Sequence, residues 1–155
     1  MRRSFFQYLL FGLHLFLGMG ATSGGLMLLL NPNGALLGMN LEWLENTPFN
    51  SYLIPGFVLF TLVGILPLLT FVGLLLKPEW RWPDKLNIYK NRYWAWAYSL
   101  YSGIIVIIWI LVQQLITQYF WLQPVMISTG LLIIIFTLIP TVMKKYEMPH
   151  VEDPK

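Results

Sequence analysis

Lys77–Arg92 reads KPEWRWPDKLNIYKNR, the one long charged interruption in a chain otherwise built of apolar runs. Half of the ten Lys and Arg residues lie in it: Lys77, Arg81, Lys85, Lys90 and Arg92. A pair of apolar runs flanks it on each side, so the stretch reads as a loop joining two membrane hairpins. The composition agrees. Of 155 residues, 57% are hydrophobic and 11% charged, against about 25% charged in soluble domains. The net charge of +3 sits on short flanks. That pattern suits an anionic membrane surface, whereas nucleic acid needs a dense basic face. Cysteine is absent, which excludes disulfides, thiol catalysis and Cys-ligated metal centres.

Outward from the loop, the apolar runs cover about residues 5–30, 52–76, 93–117 and 124–143, with the loop at 77–92 and a tail at 144–155. Each run is long enough to cross a hydrocarbon core about 30 Å thick at 1.5 Å per residue. None alternates with period 2, so strands are not expected. The first run follows Met1-Arg2-Arg3 and offers small residues at Gly18–Ala21. It nevertheless outlasts the 7–15 apolar residues typical of a signal peptide, and is expected to stay as a first span. The expected fold is an all-α antiparallel four-helix membrane bundle, one domain over 1–155. Pro67 is expected to kink the second run, and Pro140 falls near the end of the fourth.

Asn31-Pro32-Asn33-Gly34 is turn chemistry. The connection after it is greasy for a free loop, with Leu36, Leu37, Met39, Leu41, Trp43 and Leu44. Two readings stand: one or two helical turns capped by Asn40 and lying along the membrane surface, or a lid packed on the outer end of the bundle.

Charge placement predicts orientation. Arg2 and Arg3 precede the first span, five basic residues fill the middle loop, and Lys144, Lys145 and Lys155 follow the fourth span. Residues 31–51 and 118–123 contain no Lys or Arg. By the positive-inside rule both termini and the middle loop face the cytoplasm. Arg81, Lys85, Lys90, Arg92, Trp80 and Trp82 are then candidate contacts for lipid headgroups.

The four runs hold no Asp, Glu, Lys or Arg. Proton-coupled transport normally needs such a group within the membrane. His14 is the one titratable group near mid-span. Its ordinary reading is a neutral imidazole hydrogen-bonded to Ser102 or Tyr101; the sharper one, a haem or metal ligand, lacks a second membrane histidine. No metal site and no cofactor is implied. Gln113, Gln114, Ser128 and Thr129 share the outer half and read either as interhelical hydrogen bonds or, with His14 and Ser102, as an uncharged polar intramembrane site. Gly12, Gly20 and Gly24 mark a face on which helices can approach closely, within the chain or between copies.

Thr47–Gly56 (TPFNSYLIPG), together with Tyr93-Trp94-Ala95-Trp96 running through Ser99–Gly103 to Trp109-Ile110, resembles uncharacterised small four-span proteins of bacterial genomes. That resemblance implies a bacterial inner-membrane location and no particular activity. The expected function is a non-enzymatic binding, scaffold or accessory subunit in the bilayer, with membrane lipids and partner subunits or further copies as its contacts. The alternatives are a small carrier or channel for an uncharged or lipid-like solute, and a lipid-modifying enzyme.

Overall fold

Ser4 begins the first helix with a reciprocal cap. Its Oγ accepts from Gln7 N at 3.3 Å, and Ser4 N donates to Gln7 Oε1 at 3.0 Å, so two otherwise unpaired amides are satisfied. From there α1 runs over Phe5–Leu30, about 39 Å at 1.5 Å per residue. The computed structural model describes residues 3–148, with only the backbone at Ile116. The remaining long helices are α2 (Leu53–Leu76), α3 (Trp94–Ile116) and α4 (Leu122–Leu138), followed by the one-turn α5 (Pro140–Met143). Among the described residues there is no β-sheet, only an isolated bridge between Arg92 and Glu147.

Three helices, α1, α2 and α3, are each long and apolar enough to cross a membrane; α4 and the turns after it supply a fourth span if the two bent pieces count as one. Their outward faces are apolar too: Leu115 is 85% exposed, Ile135 54% and Phe16 50%. A chain in water would not leave so many large apolar side chains uncovered on every helix. This is a membrane protein.

The two prolines are accommodated differently. Pro67 does not interrupt α2. Upstream of it, Leu59–Ile65 widens into a π-helical stretch, and Leu66 N donates to Thr61 O, five residues back. One extra residue per turn makes room for a ring that an α-helix cannot hold. The bend falls at Pro140, where α4 and the following segment meet at 65°. There Ile139 adopts the extended conformation that a residue before proline prefers.

Close approach explains which helices pair. A Cβ at Gly64 on α2 would stand 2.6 Å from Thr22 Oγ1 and 2.8 Å from Thr22 N on α1. Gly103 and Gly130 face each other across α3 and α4, a Cβ on either falling 2.9 Å from the other's carbonyl oxygen. Gly12 and Gly20, by contrast, have nothing within 4 Å of a built Cβ. Gly24, the third glycine of the face expected from sequence, meets Leu59 Cδ2 at 3.7 Å, so the tightest helix contacts within the chain fall on other glycines.

At one end, called here the basic end, Trp94–Leu100 are all buried. The tail returns beneath this end. Tyr146 is 1% exposed; its hydroxyl donates to Leu74 O at 2.9 Å and accepts from Gln7 Nε2 at 3.2 Å. At the opposite, distal end, the connection after α1 forms two 3₁₀ turns, Ala35–Leu37 and Leu41–Leu44. Asn40 precedes the second, but its amide goes to Glu42 Oε2 rather than to a cap. Leu44 and Tyr52 are buried against Leu28, and Tyr52 OH donates to Asn40 O at 2.7 Å. The connection packs as a lid.

Candidate functional site

Two features stand out inside the helical body, at different depths. The deeper is a hydrogen-bonded chain across three helices. His14 on α1 is fully buried, and its Nε2 lies 2.8 Å from Ser99 Oγ on α3. Ser99 Oγ is 2.6 Å from Thr137 Oγ1 on α4, and Thr137 donates back to Ile133 O at 2.6 Å. Counting protons fixes the directions. Thr137 has one hydroxyl proton and spends it on a carbonyl, so Ser99 donates to Thr137 and must accept from His14. The imidazole is then the Nε2–H tautomer, and its Nδ1, buried without a hydrogen-bond partner, carries a lone pair.

The histidine partner differs from the expectation. Ser102 Oγ turns back to Tyr98 O, four residues earlier on its own helix, at 2.8 Å. Tyr101 OH points out to the loop, between Leu86 O and Ile88 N. Ser99, one turn nearer the basic end, takes the imidazole instead.

The second feature is a chamber of about 510 Å³ in the distal half, within the range of about 300–1,000 Å³ typical of ligand sites. Its walls are α1 at Gly20, Gly24 and Met27, α2 at Leu59 and Val63, α3 at Val106, Trp109 and Ile110, and α4 at Met126. Met39, Trp43, Leu44 and Phe49 of the lid roof it. Polar lining comes from neutral groups, Ser23, Thr47, Tyr52, Gln113, Thr117, Gln118 and Gln123, with the indoles of Trp43 and Trp109, and Trp109 Nε1 is buried with no hydrogen-bond partner among the described residues. Several of these are already engaged. Thr117 donates to Gln113 O, Thr47 to Leu44 O, and Gln123 Oε1 accepts from Phe120 N.

The polar residues expected in the outer half do not gather into one site. Gln113 lines the chamber; Gln114, one position on and so about 100° round the helix, is exposed. Ser128 is exposed and Thr129 buried, and both hydroxyls bond backward, to Pro124 O and Val125 O at 2.8 Å each. Such back-bonding removes a hydroxyl from service to a ligand. His14 and Ser102 do not line the chamber. Gln123, which sequence reading placed in a turn, lines it because α4 begins at Leu122.

No protein-family model, curated protein or solved structure matches the chain.

The expected headgroup contacts divide in two. Lys90 is tied into its own loop, donating to Asp84 O at 2.8 Å with its carboxylate at 3.8 Å. Arg92 is held between Met143 O at 2.6 Å and Glu147 Oε1 at 3.1 Å, over the Trp96 ring. Arg81 and Lys85 are exposed. Trp80 stacks between Trp82 and Trp94, with centroids at 6.2 and 6.0 Å.

Proposed function

We propose that this protein is an antiparallel four-span bundle of the bacterial inner membrane, with both termini in the cytoplasm, and that it binds a lipid-like molecule in its distal chamber without transforming it. The observation that carries this reading is the chamber itself: its volume, its apolar walls and the absence of charge from its lining. Apolar cavities of this kind stay dry and take apolar guests. The few neutral amides, Gln113, Gln118 and Gln123, orient an uncharged polar end of the guest. A binding or accessory role suits a lining that offers shape, hydroxyls and neutral amides but no carboxylate, amine or imidazole to activate them. A carrier reading has less support, because Leu17, Val106 and Ile133 are fully buried and interrupt a polar path through the helical body.

Native mass spectrometry of the chain after gentle extraction tests this. Gly24 lines the chamber, and a Cβ there meets only Leu59 Cδ2 at 3.7 Å, so Gly24→Leu starts a bulky side chain at the chamber wall with no clash at its Cβ. The expected result is a lipid-sized adduct on the wild type that is lost in Gly24→Leu and kept in Gly12→Leu. An adduct unaffected by Gly24→Leu, or none on the wild type, counts against the proposal.

A further inference from the structure

The basic end holds a second feature, independent of the chamber. Three cations come together there from three parts of the chain: Arg3 before α1, Lys77 just after α2, and Lys145 in the tail. Lys77 takes the left-handed conformation, φ 50°, which ends α2 and turns the side chain under the bundle. Its Nζ donates to Lys145 O at 2.6 Å and lies 4.5 Å from the centre of the Tyr146 ring. Arg3 Nη2 donates to Leu75 O at 2.9 Å, and its guanidinium lies 5.6 Å from the centre of the Phe11 ring.

These contacts fix the Arg3 and Lys77 side chains but, among the described residues, leave most of the charge of these two unanswered. A guanidinium has five N–H donors and an ammonium three, and each here spends one on a carbonyl. The exposed carbonyls at the end of α2 amount to roughly half a negative charge. Against that, Arg3 and Lys77 alone bring two full positive charges, and neither is paired with a carboxylate among the described residues. Burial, then Lys145, then Arg3 hold the Lys77 ammonium below the usual lysine range, the direction in which burial and neighbouring like charges both act.

We propose that Arg3 and Lys77, with Lys145 beside them, form a binding site for a phosphate-bearing anion, supplied in the membrane by the headgroup of an acidic phospholipid. The geometry suits it. The site lies at the end of a span, where a headgroup phosphate resides, and the Phe11 and Tyr146 rings offer apolar surface beside the cations. It differs from the exposed Arg81 and Lys85, whose side chains have no hydrogen bond or ion pair among the described residues.

The test uses the full chain in a neutral detergent, following its thermal midpoint with added dioctanoyl phosphatidic acid, dioctanoyl phosphatidylcholine or inorganic phosphate. Phosphatidic acid should raise Tm by roughly 5 °C at about 100-fold over its Kd, and phosphatidylcholine by clearly less. Arg3→Gln/Lys77→Gln should abolish the rise, while Lys77→Arg and Arg81→Gln/Lys85→Gln keep it. If the double variant does not fold, Lys77→Gln, which leaves Arg3 on Leu75 O, carries the same comparison. A rise with inorganic phosphate as well supports the site and assigns it to soluble phosphate too; a rise with the lipid alone assigns the headgroup. No rise with either, or a rise undiminished by loss of the two charges, overturns the proposal.

Discussion

His14 Nε2 and Ser99 Oγ meet at 2.8 Å across the interface of α1 and α3, and Thr137 continues the contact onto α4. One imidazole thereby ties three helices together at a level with no water to compete. Interhelical hydrogen bonds of this kind contribute about 0.6–2 kcal/mol each. Thr137→Val removes both the acceptor for Ser99 and the link to α4, and should lower stability by about 1–2 kcal/mol; Thr137→Ser should be close to neutral. Reversible unfolding in mixed micelles measures both. Equal losses in the two variants would argue that packing, not the hydroxyl, matters.

The proton count along the same chain makes a spectroscopic prediction. Nitrogen-15 NMR of His14 should report a protonated Nε2 and a bare Nδ1, and Ser99→Ala should perturb that pattern. An Nδ1–H tautomer would contradict the assigned directions.

Sequence made the spans legible because the length of an apolar run and the cost of charge in lipid are local properties. The partner of His14 was not legible. Ser99 and Ser102 lie three residues apart on nearly the same face of α3, and only the axial offset between α1 and α3 chooses between them. The chamber was half legible: Gln113 was found, but Ser128 and Thr129 spend their hydroxyls on their own helix. The apolar walls look like any other core residues until the lid is seen to roof them.

Glycine contacts between helices predict sharp steric costs. Gly103→Val pushes against Gly130 O and Ile134, and should cost about 1–3 kcal/mol, the usual range for overpacking. Gly12→Val faces open space and should change little. Thermal midpoints of the two variants, measured side by side, decide the matter; similar values would contradict the α3–α4 contact.

Docking of the tail should depend on pH. Burial raises the Tyr146 hydroxyl above its ordinary value of 10.0, with Gln7 and Arg3 opposing. A raised folded pKa means that the neutral phenol stabilises the docked state. That contribution is complete below pH 10.0 and lost as the pH climbs towards the folded value. Hydrogen-exchange protection at Val142–Tyr146, corrected for the intrinsic base-catalysed rate, should therefore fall in strongly alkaline solution. Tyr146→Phe should lose about 1 kcal/mol through its missing hydroxyl bonds and lose the pH dependence with it. An unchanged alkaline profile in Tyr146→Phe would contradict this role.

Sidedness can be read because the chain has no native cysteine. Asn33→Cys and Glu45→Cys, in the turn and lid of the distal end, should react with an impermeant maleimide on intact spheroplasts. Lys85→Cys should react only after lysis. The reverse labelling pattern would invert the proposed orientation.

The central claim is that the distal chamber holds a lipid-like guest. Photolabelling of the reconstituted chain by a phospholipid carrying a diazirine on its acyl chain, followed by peptide mapping, tests it most directly. Labels should concentrate on chamber walls such as Met27, Met39 and Met126, and Gly24→Leu should deplete them there. Labelling confined to outward-facing residues such as Phe16, Ile108 and Ile135, and indifferent to Gly24→Leu, would contradict the claim.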